Sequence, residues 1–175
     1  MSEPAPRAPT TRGWLAALWA LTGVALLFVD AILQLGSRGM RVVRAGLSGP
    51  EWLVLVLLTG VFVYGEGVQA LQRRWAPHVI RRIAALRAER RRALQVLAPL
   101  YALSLIGAPA RTLVRAWAGI AAIVLAVLIV RALPNPWRGM IDIAVALALV
   151  WGLGAILVQA RAGLGSGREA GAQPR

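Results

Sequence analysis

The chain has 175 residues, of which 58% are hydrophobic and only 15% are charged. A soluble domain usually carries roughly 25% charged residues, so this composition is typical of a polytopic membrane protein and excludes a separate soluble domain. The net charge is +13, every basic residue is arginine, and the absence of cysteine excludes disulfides, thiolate metal sites and cysteine nucleophiles. We expect an all-α integral membrane four-helix bundle with an Arg-rich amphipathic interfacial helix and a short re-entrant or interfacial apolar segment.

The first part of the chain predicts a polar tail and two membrane spans. Residues 1–13 are rich in Pro, Ala and Arg and predict a disordered tail. Residues 14–35 form an apolar run long enough to cross a hydrocarbon core of about 30 Å. We expect a retained span rather than a cleaved signal peptide, because Asp30 lies where a small-residue cleavage site would fall. A loop at 36–51 then precedes the second span at 52–71.

Residues 72–96 carry eight of the twenty arginines and separate the first pair of spans from the second. Pro77 suits the first turn of a helix, and apolar residues recur beyond it at helical spacing. This pattern predicts an amphipathic helix on the membrane surface, with its aliphatic stripe toward the acyl chains and its arginines toward lipid phosphates. The predicted contacts with anionic lipid or an acidic partner are Arg73, Arg74, Arg81, Arg82, Arg87, Arg91 and Arg92.

The second half of the chain predicts one ambiguous segment and two further spans. Residues 97–110 are apolar but short and are interrupted by two prolines and a glycine, so they could span, re-enter or lie on the surface. The third span is predicted at 116–133 and the fourth at 140–160. Residues 161–175 are polar and Gly-rich and predict a flexible tail.

Arginine counts favour four spans with both termini in the cytoplasm. If residues 97–110 stay on the basic side of the membrane, 15 arginines lie on that side and 5 on the other. If these residues span, the split is 12 against 8. Because arginine-rich loops remain in the cytoplasm, the four-span topology is preferred, and we expect a multi-pass protein of the bacterial cytoplasmic (inner) membrane.

Small residues recur at intervals of four in the third and fourth predicted spans. Helices in lipid gain no hydrophobic attraction for each other, so close contact relies on small residues that let two backbones approach. The short connection between these two spans predicts that their small-residue stripes pack face to face. The residues concerned are Ala118, Ala122, Ala126, Ala144, Ala148 and Gly152.

Two carboxylates, Asp30 and Glu66, lie inside predicted spans, where ionisable groups are costly and often functional. They fall at different depths, so a shared metal site or a proton-sharing pair is not expected. The alternative to ion pairing is that they are two stations of a proton or cation path. Ion pairing is the favoured interpretation, and the candidate pairs are Asp30 with Arg131 or Arg138, and Glu66 with Arg115 or Arg73.

No catalytic, metal or cofactor motif is recognisable. His78 is the single histidine and has no neighbouring Cys, Asp or Glu, so it predicts neither a metal site nor a Ser/His/Asp arrangement. Residues 65–67 lack the lysine and the strand-to-helix context of a phosphate-binding loop. Asp142 is expected in the first turn of the fourth span, where it interacts with the helix dipole and pairs with Arg138. We therefore expect no enzyme activity, no cofactor and no metal.

These patterns predict a non-enzymatic accessory or scaffold subunit of a larger membrane complex, with an Arg-rich cytoplasmic face. The expected partners are anionic lipid head groups and other membrane subunits or copies of the same chain, and nucleic acid is not expected. The alternative is an oligomeric proton- or cation-conducting transporter or channel that uses Asp30 and Glu66. An enzyme acting on a lipid phosphate ranks last, because no nucleophile or general base is identified.

Overall fold

The computed structural model describes residues 10–89 and 91–169. Within these residues every regular element is a helix, so the predicted all-α class is confirmed. Four helical stretches are long and apolar enough to cross a membrane, which supports a multi-pass membrane protein. These stretches are Thr11–Ala45, Gly49–Ala88, Ala110–Ala132 and Trp137–Gly163.

The helices follow one another with short connections. In chain order the elements are α1 (Thr11–Ala45), α2 (Gly49–Phe62), a π-helix (Val63–Trp75), α3 (Ala76–Ala85), a 3-10 turn (Leu86–Ala88), α4 (Arg92–Val96), α5 (Ala98–Ala102), α6 (Ala110–Ala132) and α7 (Trp137–Glu169). The elements from α2 to the 3-10 turn form one unbroken stretch, Gly49–Ala88, which we term the second helix.

α1 begins inside the predicted N-terminal tail. The Thr10 hydroxyl accepts a hydrogen bond from the Gly13 amide at 3.0 Å and so satisfies one of the free N–H groups at the start of the helix. Residues 11–13 are therefore helical, and the prediction of a disordered tail is wrong for them. Residues 1–9 of that predicted tail lie outside the described residues.

The predicted loop at 36–51 is mostly helical. α1 continues through it, because arginine is a good helix former and each added residue gains a backbone hydrogen bond. The helix ends at Gly46, whose φ of 94° is one that side-chain-bearing residues rarely adopt. The second helix then starts with a capping box in which the Glu51 carboxylate accepts hydrogen bonds from Ser48. The connection between the two helices is three residues long.

α7 is also longer than the fourth predicted span. It continues to Glu169, so the predicted flexible tail is wrong for residues 161–169. Once a helix has formed in the span, each further residue that joins it gains one backbone hydrogen bond, so α7 extends despite the low helix propensity of the glycines here. Residues 170–175 lie outside the described part of the chain.

The basic stretch does not form a separate surface helix. Its first part continues the second helix as far as Ala88, and the chain then breaks before α4. The aliphatic stripe of this part is buried inside the protein, where Val79, Ile83 and Leu86 are each 0% exposed. The predicted orientation of the stripe toward the acyl chains is therefore wrong, because the periodicity marks a buried face without saying whether lipid or protein covers it.

Small residues on α1 and α7 receive this stripe. Ala16, Ala17 and Ala20 of α1 are buried beside it and leave room for the larger side chains of α3. Lipid supplies no hydrophobic force between helices, so the fit of large side chains against small ones provides the van der Waals contact that holds them together. The rest of this core is formed by Val24, Ala76, Ile80, Ala98, Ala102, Ile156 and Ala160.

The π-helix packs closely against α7. A Cβ at Gly67 would lie 3.3 Å from the carbonyl oxygen of Ala148, and a Cβ at Gly152 would meet the side chain of Leu71. The two glycines thus permit an approach of the two backbones that larger residues would prevent.

Pro77 interrupts the backbone hydrogen bonds where the π-helix ends. The Ala76 amide donates to the Leu71 carbonyl, which is the spacing of a π-helix. The next amide in this pattern would be that of Pro77, which has no N–H, so the Gln72 carbonyl is left without its helical partner. The side-chain amide of Gln159 on α7 donates to that carbonyl at 3.1 Å. The neighbouring helix thereby satisfies a backbone group that lipid could not.

The predicted face-to-face packing of α6 and α7 is wrong. All residues of α6 are described, and none of them is buried. In α7 the predicted stripe is indeed buried, but Ala148 and Gly152 contact Gly67 and Leu71 of the second helix instead. With this face of α7 already occupied, the alanine stripe of α6 has no partner there and stays exposed.

The ambiguous segment 97–110 enters a groove between α1 and α3. Ala98 and Ala102 of α5 are fully buried, and a Cβ at Gly23 of α1 would lie 2.6 Å from the ring of Pro99. Beyond α5 the chain turns and leads into α6. The segment is therefore packed within the protein and is too short and too broken to form a fifth span.

We predict that Gly152→Leu destabilises the protein, whereas Gly154→Leu, two residues later on α7, leaves the stability nearly unchanged. A side chain at position 152 would collide with Leu71, while nothing lies within 4 Å of a Cβ at position 154. Overpacking of this kind costs about 1–3 kcal/mol. Thermal unfolding of both variants in the same detergent measures the difference, and equal midpoints would contradict the contact between α7 and the second helix.

Candidate functional site

The arginines of the basic stretch divide into two groups. Arg82 and Arg87 are partly buried and contact other protein groups. The remaining five predicted lipid contacts lie on exposed positions, where a phosphate could reach them: Arg73, Arg74, Arg81, Arg91 and Arg92.

Arg82 holds the turn between α5 and α6 in place. Its Nε donates to the Tyr101 carbonyl at 2.6 Å, and one terminal nitrogen donates to the carbonyls of Ile106 at 2.9 Å and Gly107 at 3.3 Å. The guanidinium carbon also lies 3.9 Å from the centre of the Tyr101 ring. Backbone carbonyls that have left the helical pattern need such donors, and the forked guanidinium can reach several of them at once. Arg82 is therefore a structural residue rather than the predicted lipid contact.

His78, one helical turn before Arg82, binds the same turn. Its Nε2 lies 2.9 Å from the Ser104 hydroxyl oxygen, and Ser104 is only 4% exposed. Ser104 has a φ of 63°, which residues with a side chain rarely adopt, so the hydrogen bond helps to hold a turn of unusual conformation. Sequence reasoning, which found no serine near the histidine, missed this contact because 26 residues separate the pair. Neither residue lines the two clefts described below.

Arg87 ties the end of the second helix to the start of α1. Its guanidinium carbon lies 4.0 Å from the centre of the Trp14 ring, a cation–π contact, and its carbonyl accepts a hydrogen bond from the Thr10 amide at 3.0 Å. Its Nε and one terminal nitrogen are buried and have no hydrogen-bond partner among the residues described. We term this end of the molecule, which carries Arg12, Arg87 and Arg92, the basic end.

A cleft of about 480 Å³, which we term the basic cleft, opens between α1 and α4. Trp19 donates from its indole N–H to the Val96 carbonyl at 3.1 Å and joins the two helices there. The guanidinium groups of Arg12 and Arg92 form no hydrogen bond or ion pair within the described residues. The polar side of the cleft is Arg12, Arg92 and Gln95, and the apolar side is Leu15, Ala16, Trp19 and Val96. This division suits a lipid, with its phosphate at the arginines and its first methylenes along the apolar wall.

Asp30 and Glu66 lie on exposed positions of α1 and the second helix. The Asp30 carboxylate accepts a hydrogen bond from the Gln34 side chain at 2.7 Å. Among the described residues neither carboxylate forms an ion pair, so the structure does not bring together the pairs expected from the sequence. Of the expected partners, Arg115 and Arg131 lie on exposed positions of α6.

Asp142 is the carboxylate that the fold buries, and it is only 5% exposed. It lies at the end of the bundle opposite the basic end, where α1 and α7 approach so closely that a Cβ at Gly39 would lie 2.7 Å from the Gly139 carbonyl oxygen. The expected ion pair with Arg138 is absent from the described residues. Asp142 lines a cleft of about 680 Å³, which we term the Asp142 cleft, and the other polar residues that line it are Arg38, Arg41, Glu51, Asn135 and Arg138.

Within the described residues no group of three or more His, Asp or Glu side chains could hold a metal ion. Comparisons with family models, with curated proteins and with solved structures give no match. Only the geometry and chemistry of the chain itself therefore bear on its function.

We predict that Arg82→Gln destabilises the protein and loosens residues 101–107, whereas Arg81→Gln has little effect. Arg82 supplies three hydrogen bonds to carbonyls, while its neighbour Arg81 is exposed and supplies none within the described residues. Loss of a charged hydrogen-bond donor costs about 1.5–3 kcal/mol. Thermal unfolding and amide hydrogen exchange of residues 101–107 measure both effects, and equal exchange rates in the two variants would show that Arg82 does not hold the turn.

Proposed function

We propose that this protein is a non-enzymatic accessory or scaffold subunit of a membrane assembly, and that α6 is the helix that packs against its partner. The observation that carries the proposal is the exposure of α6. Its 23 residues are all described, none is buried, and its main contact within the chain is with α7. The other three apolar stretches, in contrast, pack against one another.

The composition of α6 supports a helix partner. Its most apolar window has a mean hydropathy of 2.5, the highest of the four candidate spans. A helix that is apolar on every side is covered either by lipid or by other helices. Ala118, Ala122 and Ala126 form a narrow stripe at intervals of four, which would let the backbone of a second helix approach closely. A helix of another subunit or of a second copy would fit this face.

The basic end supports contact with an anionic membrane surface. Arg12 and Arg92, which form no hydrogen bond or ion pair within the described residues, lie there, and each basic residue near an anionic lipid surface contributes about 1 kcal/mol of attraction. A four-span topology leaves 15 of the 20 arginines on this side, which favours a cytoplasmic location for the basic end.

Proton or cation conduction by an oligomer is the second candidate from the sequence. Asp30 and Glu66 lie on the outside of the single chain, so only an assembly of several copies could bring them into one path. No contact among the described residues favours this function. The experiment below includes a flux assay that would detect it.

We predict that Ala122→Phe releases the partner, whereas Ala121→Phe does not. Position 122 belongs to the small-residue stripe and position 121 lies beside it, and both are exposed, so both variants should fold like the wild type. A bulky side chain in a close helix contact costs about 1–3 kcal/mol, which weakens binding by roughly 5- to 150-fold. The native mass in a mild detergent, with mass spectrometry of what is bound, measures the complex.

A wild-type protein that consists of one chain without a stoichiometric partner would contradict this proposal. Partner loss in both variants would also contradict it, since the stripe would then not be the contact. A homo-oligomer would identify the partner as a second copy, and Asp30→Asn and Glu66→Gln would then be compared in a flux assay. A fall in flux at unchanged protein abundance would favour conduction.

We also predict that a reporter fused after Arg175 is cytoplasmic and that one inserted in the connection at residues 46–48 lies on the other side of the membrane. Gly13 contacts Arg87 and Gly163 approaches Ile80, so both ends of the described chain meet the same part of the second helix. The positive-inside rule assigns that part to the cytoplasm. A C-terminal reporter on the opposite side would overturn the orientation.

A further inference from the structure

The Asp142 cleft holds opposite charges that act on each other but form no hydrogen bond or ion pair within the described residues. Arg38, Arg41 and Arg138 line it, and none of their guanidinium groups forms a hydrogen bond or ion pair within the described residues. The carboxylate of Asp142 is likewise without such a partner in the part of the chain that the structure describes, although the residue is 95% buried. Arg138 and Arg38 act on this carboxylate through their charge, but no hydrogen-bond donor among the described residues satisfies it, which is unfavourable for a buried carboxylate. A ligand that brings a cationic donor to Asp142 and an anion to the arginines would therefore be stabilised in the cleft.

Arg38 and Arg41 lie on α1, and Arg138 and Asp142 lie on α7. The close contact of Gly39 with Gly139 fixes the backbones of α1 and α7, which carry the arginines and the acid. The second acid of the cleft, Glu51, is already engaged, because one of its oxygens accepts hydrogen bonds from the Ser48 amide and hydroxyl at 2.7 Å each. Asp142 is thus the acid of the cleft whose carboxylate accepts no hydrogen bond within the described residues.

The location of the cleft points to a lipid. It lies at the end of the apolar helices, and Trp52 and Trp137 near it are each 46% exposed, as expected for aromatic residues at a membrane interface. Phosphate binds guanidinium groups in paired hydrogen bonds, and a primary ammonium donates up to three hydrogen bonds to carboxylates. We propose that the Asp142 cleft binds a phosphoethanolamine lipid head group, with the phosphate at the arginines and the ammonium at Asp142.

This assignment is independent of the proposed role of α6 and of the basic end, because neither contributes a residue to the Asp142 cleft. A site of this kind must also be selective for the methylation state of the head-group amine. Successive methylation of the amine keeps the charge of the head group but removes the N–H donors, so a site that uses Asp142 must distinguish the methylated forms. Attraction by surface charge alone cannot distinguish them.

The test is native mass spectrometry of the full chain with equal amounts of four lipids that share the same acyl chains. Their head groups are phosphoethanolamine, its N-methyl and N,N-dimethyl forms, and phosphocholine. We expect retention to fall along this series, by about tenfold between the first and the last, which corresponds to the loss of a charged hydrogen bond. Equal retention of all four lipids would overturn the proposal.

Variants locate the site. Asp142→Asn should abolish the preference along the series, and the double variant of Arg38→Gln and Arg138→Gln should lower the retention of all four lipids. Asp30→Asn, which neutralises an exposed carboxylate of α1, is the matched control and should keep the wild-type preference. An unchanged preference in the Asp142→Asn variant would overturn the assignment.

The test also covers a variant that does not fold and a ligand without acyl chains. If Asp142→Asn lowers the thermal midpoint so far that the variant does not fold, the methylation series with the wild-type chain decides alone. Free phosphoethanolamine at millimolar concentration should compete with the lipid for the cleft. Binding of the free compound without any retention of the lipid would overturn the lipid as the ligand.

Discussion

In lipid, a backbone group that leaves the helical pattern must find its hydrogen-bond partner inside the protein, and this constraint shapes the whole molecule. Two such places lie against the second helix. At the end of the π-helix the Gln72 carbonyl loses its partner to Pro77, and Gln159 of α7 replaces it. At the end of α5 and in the turn after it, Arg82 donates to three carbonyls. These two polar side chains set how α7 and the turn lie against the second helix.

The packing of the spans follows from the small residues that let backbones approach. α1 presents alanines to the aliphatic stripe of α3, and α7 presents Gly152 and its alanines to the π-helix. Both small-residue faces are therefore used by the second helix. No residue of α6 is buried, because neither of these faces remains for it to pack against. The proposed function therefore places α6 against a partner helix.

The two ends of the molecule offer different chemistry to the membrane. Among the described residues that line it, the basic cleft has two arginines without a hydrogen-bond or ion-pair partner, an apolar wall and no acid, which suits an anionic lipid. The Asp142 cleft mixes unpaired arginines with a buried carboxylate, which suits a head group that carries both signs of charge. This difference arises from the fold, because the arginines at the two ends look alike in the sequence.

The sequence by itself determined the all-α class, the four apolar helices and the clustering of arginine in residues 72–96, since length, hydropathy and charge are properties of each segment alone. Tertiary structure decided the rest. A periodic stripe such as that of Val79 and Ile83 marks a buried face without naming what covers it. The meeting of His78 with Ser104 and the burial of Asp142 depend on contacts between residues far apart in the chain, which no local pattern records.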